Sequence, residues 1–73
     1  MKKDDLIELA RIIKIQRAKL GITQHDLANI SGVSYSSVAF IESINFRRKP
    51  RFETLMKLEK ALQLKENTLT KFI

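Results

Sequence analysis

A single histidine, His25, no cysteine, no glycine-rich phosphate loop and no clustered carboxylates leave this chain little with which to make or break bonds. His25 reads as a surface residue or a phosphate neighbour rather than a general base. The same poverty excludes a thiolate or zinc site, and no cofactor or metal is expected. What remains is recognition chemistry. Between Thr23 and Glu42 the sequence runs T-Q-H-D-L-A-N-I-S-G-V-S-Y-S-S-V-A-F-I-E, a stretch of hydroxyls, amides and aromatic rings with no Lys or Arg. Val38 and Ile41 make an inward i, i+3 stripe, so Ser36 and Phe40 must point the other way.

Two short helical patterns, hinged at Ser31-Gly32-Val33, position those side chains. Thr23 followed three residues later by Asp26 is the signature of a capped helix start. Gly32 supplies the left-handed conformation that ends the first helix, and the Ser34 hydroxyl can cap the next. This is the layout of a helix-turn-helix over about 23–44, which presents its second helix to a DNA groove.

The charge pattern agrees. Fourteen basic against eight acidic residues give a net charge of +6. The cations bracket the neutral stretch, with Arg11, Lys14, Arg17 and Lys19 before it and Arg47, Arg48, Lys49 and Arg51 after it. Such a distribution would place positive charge on backbone phosphates while neutral side chains meet base edges. With 73 residues and 44% hydrophobic content, one domain spanning 1–73 is expected, stabilised by apolar packing and supplemented by dimerisation. No apolar run approaches the roughly 18 residues needed to span a bilayer. Asp4, Asp5 and Glu8 interrupt any signal-peptide pattern, so a cytoplasmic location is expected. No sensor or cleavage domain is evident, so control is expected to come from the protein's own concentration.

Helical periodicity covers the rest of the chain, and no segment alternates as a strand would. A first helix is expected from Asp4 or Asp5 to Lys19 or Leu20. Leu6, Leu9 or Ala10, Ile13, Arg17 and Leu20 share one face, and Ile7, Ile12 and Ile15 widen the apolar surface. The helix-turn-helix pair is expected at about Gln24 to Ile30 and Tyr35 to Ile44. A fourth helix is expected from Phe52 to Gln63, with Phe52, Leu55, Leu58 and Leu62 inward. A fifth, over about 66–73, carries Leu69, Phe72 and Ile73. The fold expected is a compact all-α bundle of five helices.

In order and spacing these residues resemble the DNA-binding domain of the phage repressor and Cro type, the Xre family of helix-turn-helix regulators. The resemblance spans about Ile12 to Leu64. It rests on Arg17-x-x-x-Gly21-Ile22-Thr23-Gln24-x-Asp26-Leu27-Ala28, Ser31-Gly32-Val33-Ser34, Val38-x-x-Ile41-Glu42, Pro50-Arg51-Phe52-x-Thr54-Leu55 and Ala61-Leu62. It implies that Gln24 bonds a phosphate and braces the third helix, and that Thr23 contributes to an anion site there. Arg17 and Glu42 match a pair bridging the first and third helices. An arginine on an apolar face facing a lone acid agrees with that role, though the guanidinium could also touch a phosphate.

Ser34, Tyr35, Ser36 and Phe40 match the positions by which relatives read base edges. Hydroxyls discriminate weakly and aromatic faces meet thymine methyls, so DNA shape would carry much of the specificity. For Phe40 the alternative is burial against the fourth helix or the loop. For Tyr35 it is a phosphate contact through its hydroxyl, and for Ser37 a backbone bond or a brace on Gln24 instead of a phosphate contact. The loop from Ser43 to Pro50 is longer than is common in the family and lacks its usual glycine, which would let the third helix run further. Phe46 would enter the core or the dimer seam, and Arg47, Arg48, Lys49 and Arg51 would reach phosphates.

Leu69, Phe72 and Ile73 are too apolar to end a chain in water unpacked. They would fold partly onto the first helix and partly form a twofold interface. The expected function is a sequence-specific transcriptional regulator, a repressor or controller, binding double-stranded DNA at a palindrome as a homodimer. The competing reading is an antitoxin-type module of the same fold that holds a small protein partner, a toxin, and autoregulates. An enzyme and a membrane protein are the readings the sequence disfavours.

Overall fold

The structure, a computed structural model, describes residues 1–44 and 49–73. Local capping signals set its first three helices. α1 spans Lys3–Leu20, with Asp4 and Asp5 in the first turn, where the helix dipole favours negative charge. The Asp5 carboxylate accepts the Lys2 backbone N–H at 3.1 Å. Gly21, at φ 68°, closes the helix, returning its N–H to the Ala18 carbonyl and that of Ile22 to Arg17.

α2, Gln24–Ser31, opens on a reciprocal cap: Thr23 Oγ1 accepts from the Asp26 N–H at 3.0 Å, and Asp26 accepts from the Thr23 N–H at 2.9 Å. Gly32 ends it at φ 76°. α3, Tyr35–Glu42, starts where Ser34 Oγ accepts the Ser37 N–H at 3.2 Å. α4 spans Phe52–Ala61, just after Pro50, and a single 3-10 turn, Thr70–Phe72, closes the chain.

These elements enclose one core. Leu9 and Ile13 of α1 meet Leu27 of α2, Val38 of α3, Leu55 and Leu58 of α4, Leu62, and Leu69 of the terminal segment, all essentially without solvent contact. Burial of each such side chain stabilises the fold by roughly 1.5–3 kcal/mol. Gln16 ties α1 to α4 by donating to the Leu62 carbonyl at 2.9 Å, satisfying an acceptor that the end of α4 would leave open.

Several expectations need correction. The bundle has four α-helices and a 3-10 turn among the described residues, not five helices. The fifth helix is absent because Glu59, only 4% exposed, captures the chain as it passes. Its Oε2 accepts the Leu69 N–H at 2.7 Å and the Thr70 N–H at 3.1 Å. Asn67 and Gln63 adopt left-handed backbone, at φ 71° and 58°, which also stops α4 at Ala61 rather than Gln63. Leu69, expected at a dimer interface, is fully buried inside the monomer. Phe72 packs partly against the core, and Ile73 is left exposed.

Phe52, expected in the core, is 52% exposed. It is the first residue of α4, and helical side chains lean toward the N-terminus, here off the end of the bundle. α3 stops at Glu42 instead of running on to Ile44. The Ser43 hydroxyl donates back to the Phe40 carbonyl at 2.7 Å, and Ile44 turns left-handed at φ 57°, taking the role of the missing glycine. Of the extra isoleucines on α1, Ile12 packs against the core while Ile7 and Ile15 stay exposed. Phe46 lies outside the described residues.

Burial alone would raise the Glu59 pKa, but the backbone N–H groups of Leu69, Thr70 and Asn67 outweigh it and hold it below the ordinary 4.5. A carboxylate depressed in the folded state stabilises above its unfolded pKa and loses that contribution as pH falls through the folded value. Glu59→Ala should therefore cost about 2–3 kcal/mol at neutral pH, with the gap to the wild type closing as pH falls below 4.5. Denaturant titrations across that range check both parts. Equal stabilities at neutral pH would remove the clamp.

Candidate nucleic-acid interface

With about 100° of rotation per residue, α3 divides into a buried side, an outward side and two flanks. Val38, Ile41 and Glu42 are buried. Opposite them lie Ser36, exposed, and Phe40, half-buried. One flank, carrying Tyr35 and Glu42, faces α2. The other, carrying Ser37 and Ile41, faces the start of α4.

The α2 flank is held by charge. Glu42, 3% exposed, accepts both donors of one edge of the Arg17 guanidinium, Nε at 2.9 Å and Nη2 at 2.8 Å. Arg17 Nη1 also donates to the Ile22 carbonyl at 3.1 Å. Gln24 Nε2 donates to Glu42 Oε1 at 3.2 Å. One buried carboxylate thus joins α1, the α1–α2 turn, α2 and α3. The paired carboxylate raises the Arg17 pKa further, against the effect of burial.

At the other end of this flank, Tyr35 stacks on His25 of α2, ring centroids 3.9 Å apart and planes within 4°. Between the two contacts, α3 is registered against α2 at both of its ends.

The other flank is open. Ser36, Ser37, Phe40 and Ile41 face Lys49, Pro50, Arg51 and Thr54 across a cleft of about 410 Å³. Lys49 and Arg51 are exposed on its rim. Lys49 also lies beside the Met1 amine, and this second cation lowers the amine's pKa. Ser34 donates to Ser37 Oγ at 2.8 Å, so these two hydroxyls serve first as a cap. Thr23 is likewise engaged in the α2 cap, and its backbone N–H, donated to the Asp26 carboxylate, lowers that group's pKa.

The structure thus brings Thr23, Gln24, Ser34, Tyr35, Ser36, Ser37, Phe40, Lys49 and Arg51 to α3 or its two borders. Arg47 and Arg48 lie outside the described residues. Leu69, Phe72 and Ile73 stand apart, at the terminal segment. Two contributors escaped sequence reasoning: the partnering of His25 with Tyr35, and Thr54 in the cleft wall.

A short helix braced from behind, with its neutral side outward and cations at one border, is the arrangement of a groove-reading helix. A family model described as helix-turn-helix, HTH_3, matches residues 13–69. The chain belongs to the Xre/lambda-repressor-like helix-turn-helix family. Domains of this family are DNA-binding transcription regulators, which makes duplex DNA the partner of this one. No curated protein and no solved structure matches the chain. Among the described residues no helix is long and apolar enough to cross a membrane, and no group of His, Asp or Glu is placed to hold a metal ion.

In this Xre-type domain the Arg17–Glu42 pair fixes the register of α3, so breaking it should unfold the site. Arg17→Ala leaves a buried carboxylate uncompensated and should cost about 3–5 kcal/mol. The double variant Arg17→Met with Glu42→Leu should lose less, because it removes both charges. Thermal melts of the two variants test this. An unchanged melting temperature for Arg17→Ala would exclude the role.

Proposed function

We propose that this Xre-type domain is a sequence-specific transcriptional repressor or controller that binds a palindromic operator as a homodimer, with α3 in the major groove. The observation that carries the reading is the neutral outward side of α3 beside the cationic rim of Lys49 and Arg51. Neutral groups there would meet base edges while the rim cations meet phosphates.

In this reading Tyr35, Ser36 and Phe40 contact bases, and Ser34, whose hydroxyl also caps α3, joins them at the start of the helix. Phe40 is half-buried in the cleft wall, and the accessible part of its ring is what a thymine methyl would meet. Thr23, Gln24, Ser37, Lys49 and Arg51 contact phosphates, joined by Arg47 and Arg48. Gln24 suits a double role: one amide N–H binds Glu42, and the other is available to a phosphate.

The self-association surface is proposed at Phe72 and Ile73 rather than Leu69, extended by the exposed Phe52 ring. The domain measures 28 × 24 × 20 Å. Two copies abreast therefore suit recognition helices one DNA turn, about 34 Å, apart.

Selection of bound duplexes from a random pool should return an inverted repeat with half-sites one turn apart. On that site, Ser36→Ala combined with Phe40→Ala should abolish sequence preference while leaving non-specific binding largely intact. Weakening that is uniform across all sequences would contradict the base-reading assignment. Failure to recover any preferred duplex would contradict the function.

A further inference from the structure

The two borders of α3 carry different kinds of charge. The cleft border has the fixed cations Lys49 and Arg51. On the α2 border the sequence holds no Lys or Arg from Ile22 to Phe46, and the Arg17 guanidinium behind it is consumed by Glu42. Among the described residues, the side chain on that border able to become a cation is His25, exposed at the second position of α2. Its ring is placed, not loose. The parallel stack on Tyr35 holds it against the first residue of the recognition helix. Stacking occupies ring faces and leaves the nitrogen-bearing edges directed outward, and the electron-rich face of a tyrosine tolerates a cation well.

Resting on the reading above, we propose that His25 is a DNA contact in its own right. When protonated, its imidazole donates to a backbone phosphate on the α2 side of the groove, so duplex affinity rises as the solution is made more acid. The charged groups facing it are few. Asp26 on its own helix is engaged by the Thr23 N–H. From α3 come the phenol of Tyr35 and, through Gln24, the internally balanced Arg17–Glu42 pair. Gaining a proton makes the domain more cationic beside a polyanion, so the sign is fixed: tighter in acid, weaker in base.

The probe is the duplex recovered by selection, with affinity measured by fluorescence anisotropy at about pH 6 and about pH 8 over a range of salt. The wild type should bind on the order of tenfold more tightly at the lower pH. Its log–log salt slope should also be steeper there by about 0.9, one further phosphate neutralised. His25→Gln should bind equally at both pH values, and Tyr35→Leu, which removes the stacking partner, should flatten the dependence. Circular dichroism at both pH values confirms that each variant is folded.

The Met1 amine beside Lys49 is the other group that could titrate in this range. A pH dependence that survives His25→Gln would assign the effect to it and overturn the proposal, as would wild-type binding that ignores pH. Absence of duplex binding at both pH values would sink the underlying function as well, which separates the two failures.

Discussion

The structure depends on a carboxylate placed where water cannot serve it. Glu42 ends α3 on its inward side, 3% exposed, and a bare charge there would cost several kcal/mol in desolvation. Arg17 meets it with a planar fork, two donors to two acceptors, and Gln24 takes a further lone pair. Each partner comes from a different helix, so one buried anion fixes how α1, α2 and α3 cross. An eight-residue helix is marginal on its own in water. α3 persists because Val38 and Ile41 bury its back and Glu42 fixes its rotation. The side left outward is then a consequence of the lock.

The second buried acid, Glu59, does for the end of the chain what Glu42 does for its middle. It gathers backbone N–H groups of a segment with little regular structure, and Leu69 is thereby carried into the core. The two cases share a consequence for the protein's field. Beyond Glu42 and Glu59, Asp5 and Asp26 are engaged as helix caps and Glu8 is paired with Arg11. Most acidic charge is thus committed to holding the fold, while Lys49 and Arg51 stay at the surface. The positive field near α3 follows from where the acids went as much as from where the bases are.

What the sequence made legible was local or unavoidable. The Thr23–Asp26 cap, Gly21, Gly32 and Ser34 act within a few residues of themselves, and they bound the helices close to where periodicity placed them. Arg17 on an apolar face demanded a counter-charge, and α3 held a single acid. What stayed hidden depended on distant partners. Nothing near Leu69 announces that Glu59, ten residues back, will take its N–H. Ile44 turning left-handed opposes a β-branched residue's preference, so no propensity foretells it. Phe52 kept the inward spacing of its helix but sat one turn beyond the core. The stack of Tyr35 on His25 depends on the angle between α2 and α3, which the ion pair sets across three helices.

If α3 reads bases as proposed, that angle bears on how its modest side chains would discriminate among sequences. Hydroxyls accept many partners and a phenyl ring can only sense a methyl group, so each contact taken alone is permissive. Discrimination then has to come from holding permissive groups in a fixed place, where a wrong base leaves a gap or a clash that the helix cannot shift to relieve. The α2 border supplies that fixity through the Glu42 network at one end of α3 and the Tyr35 ring at the other. The α4 border, an open cleft of about 410 Å³, leaves room on the side where, in the proposed reading, Lys49 and Arg51 would follow a backbone of variable shape. A helix clamped on one flank and open on the other suits recognition that leans on groove geometry, because register is set at the clamped side and accommodation occurs at the open one.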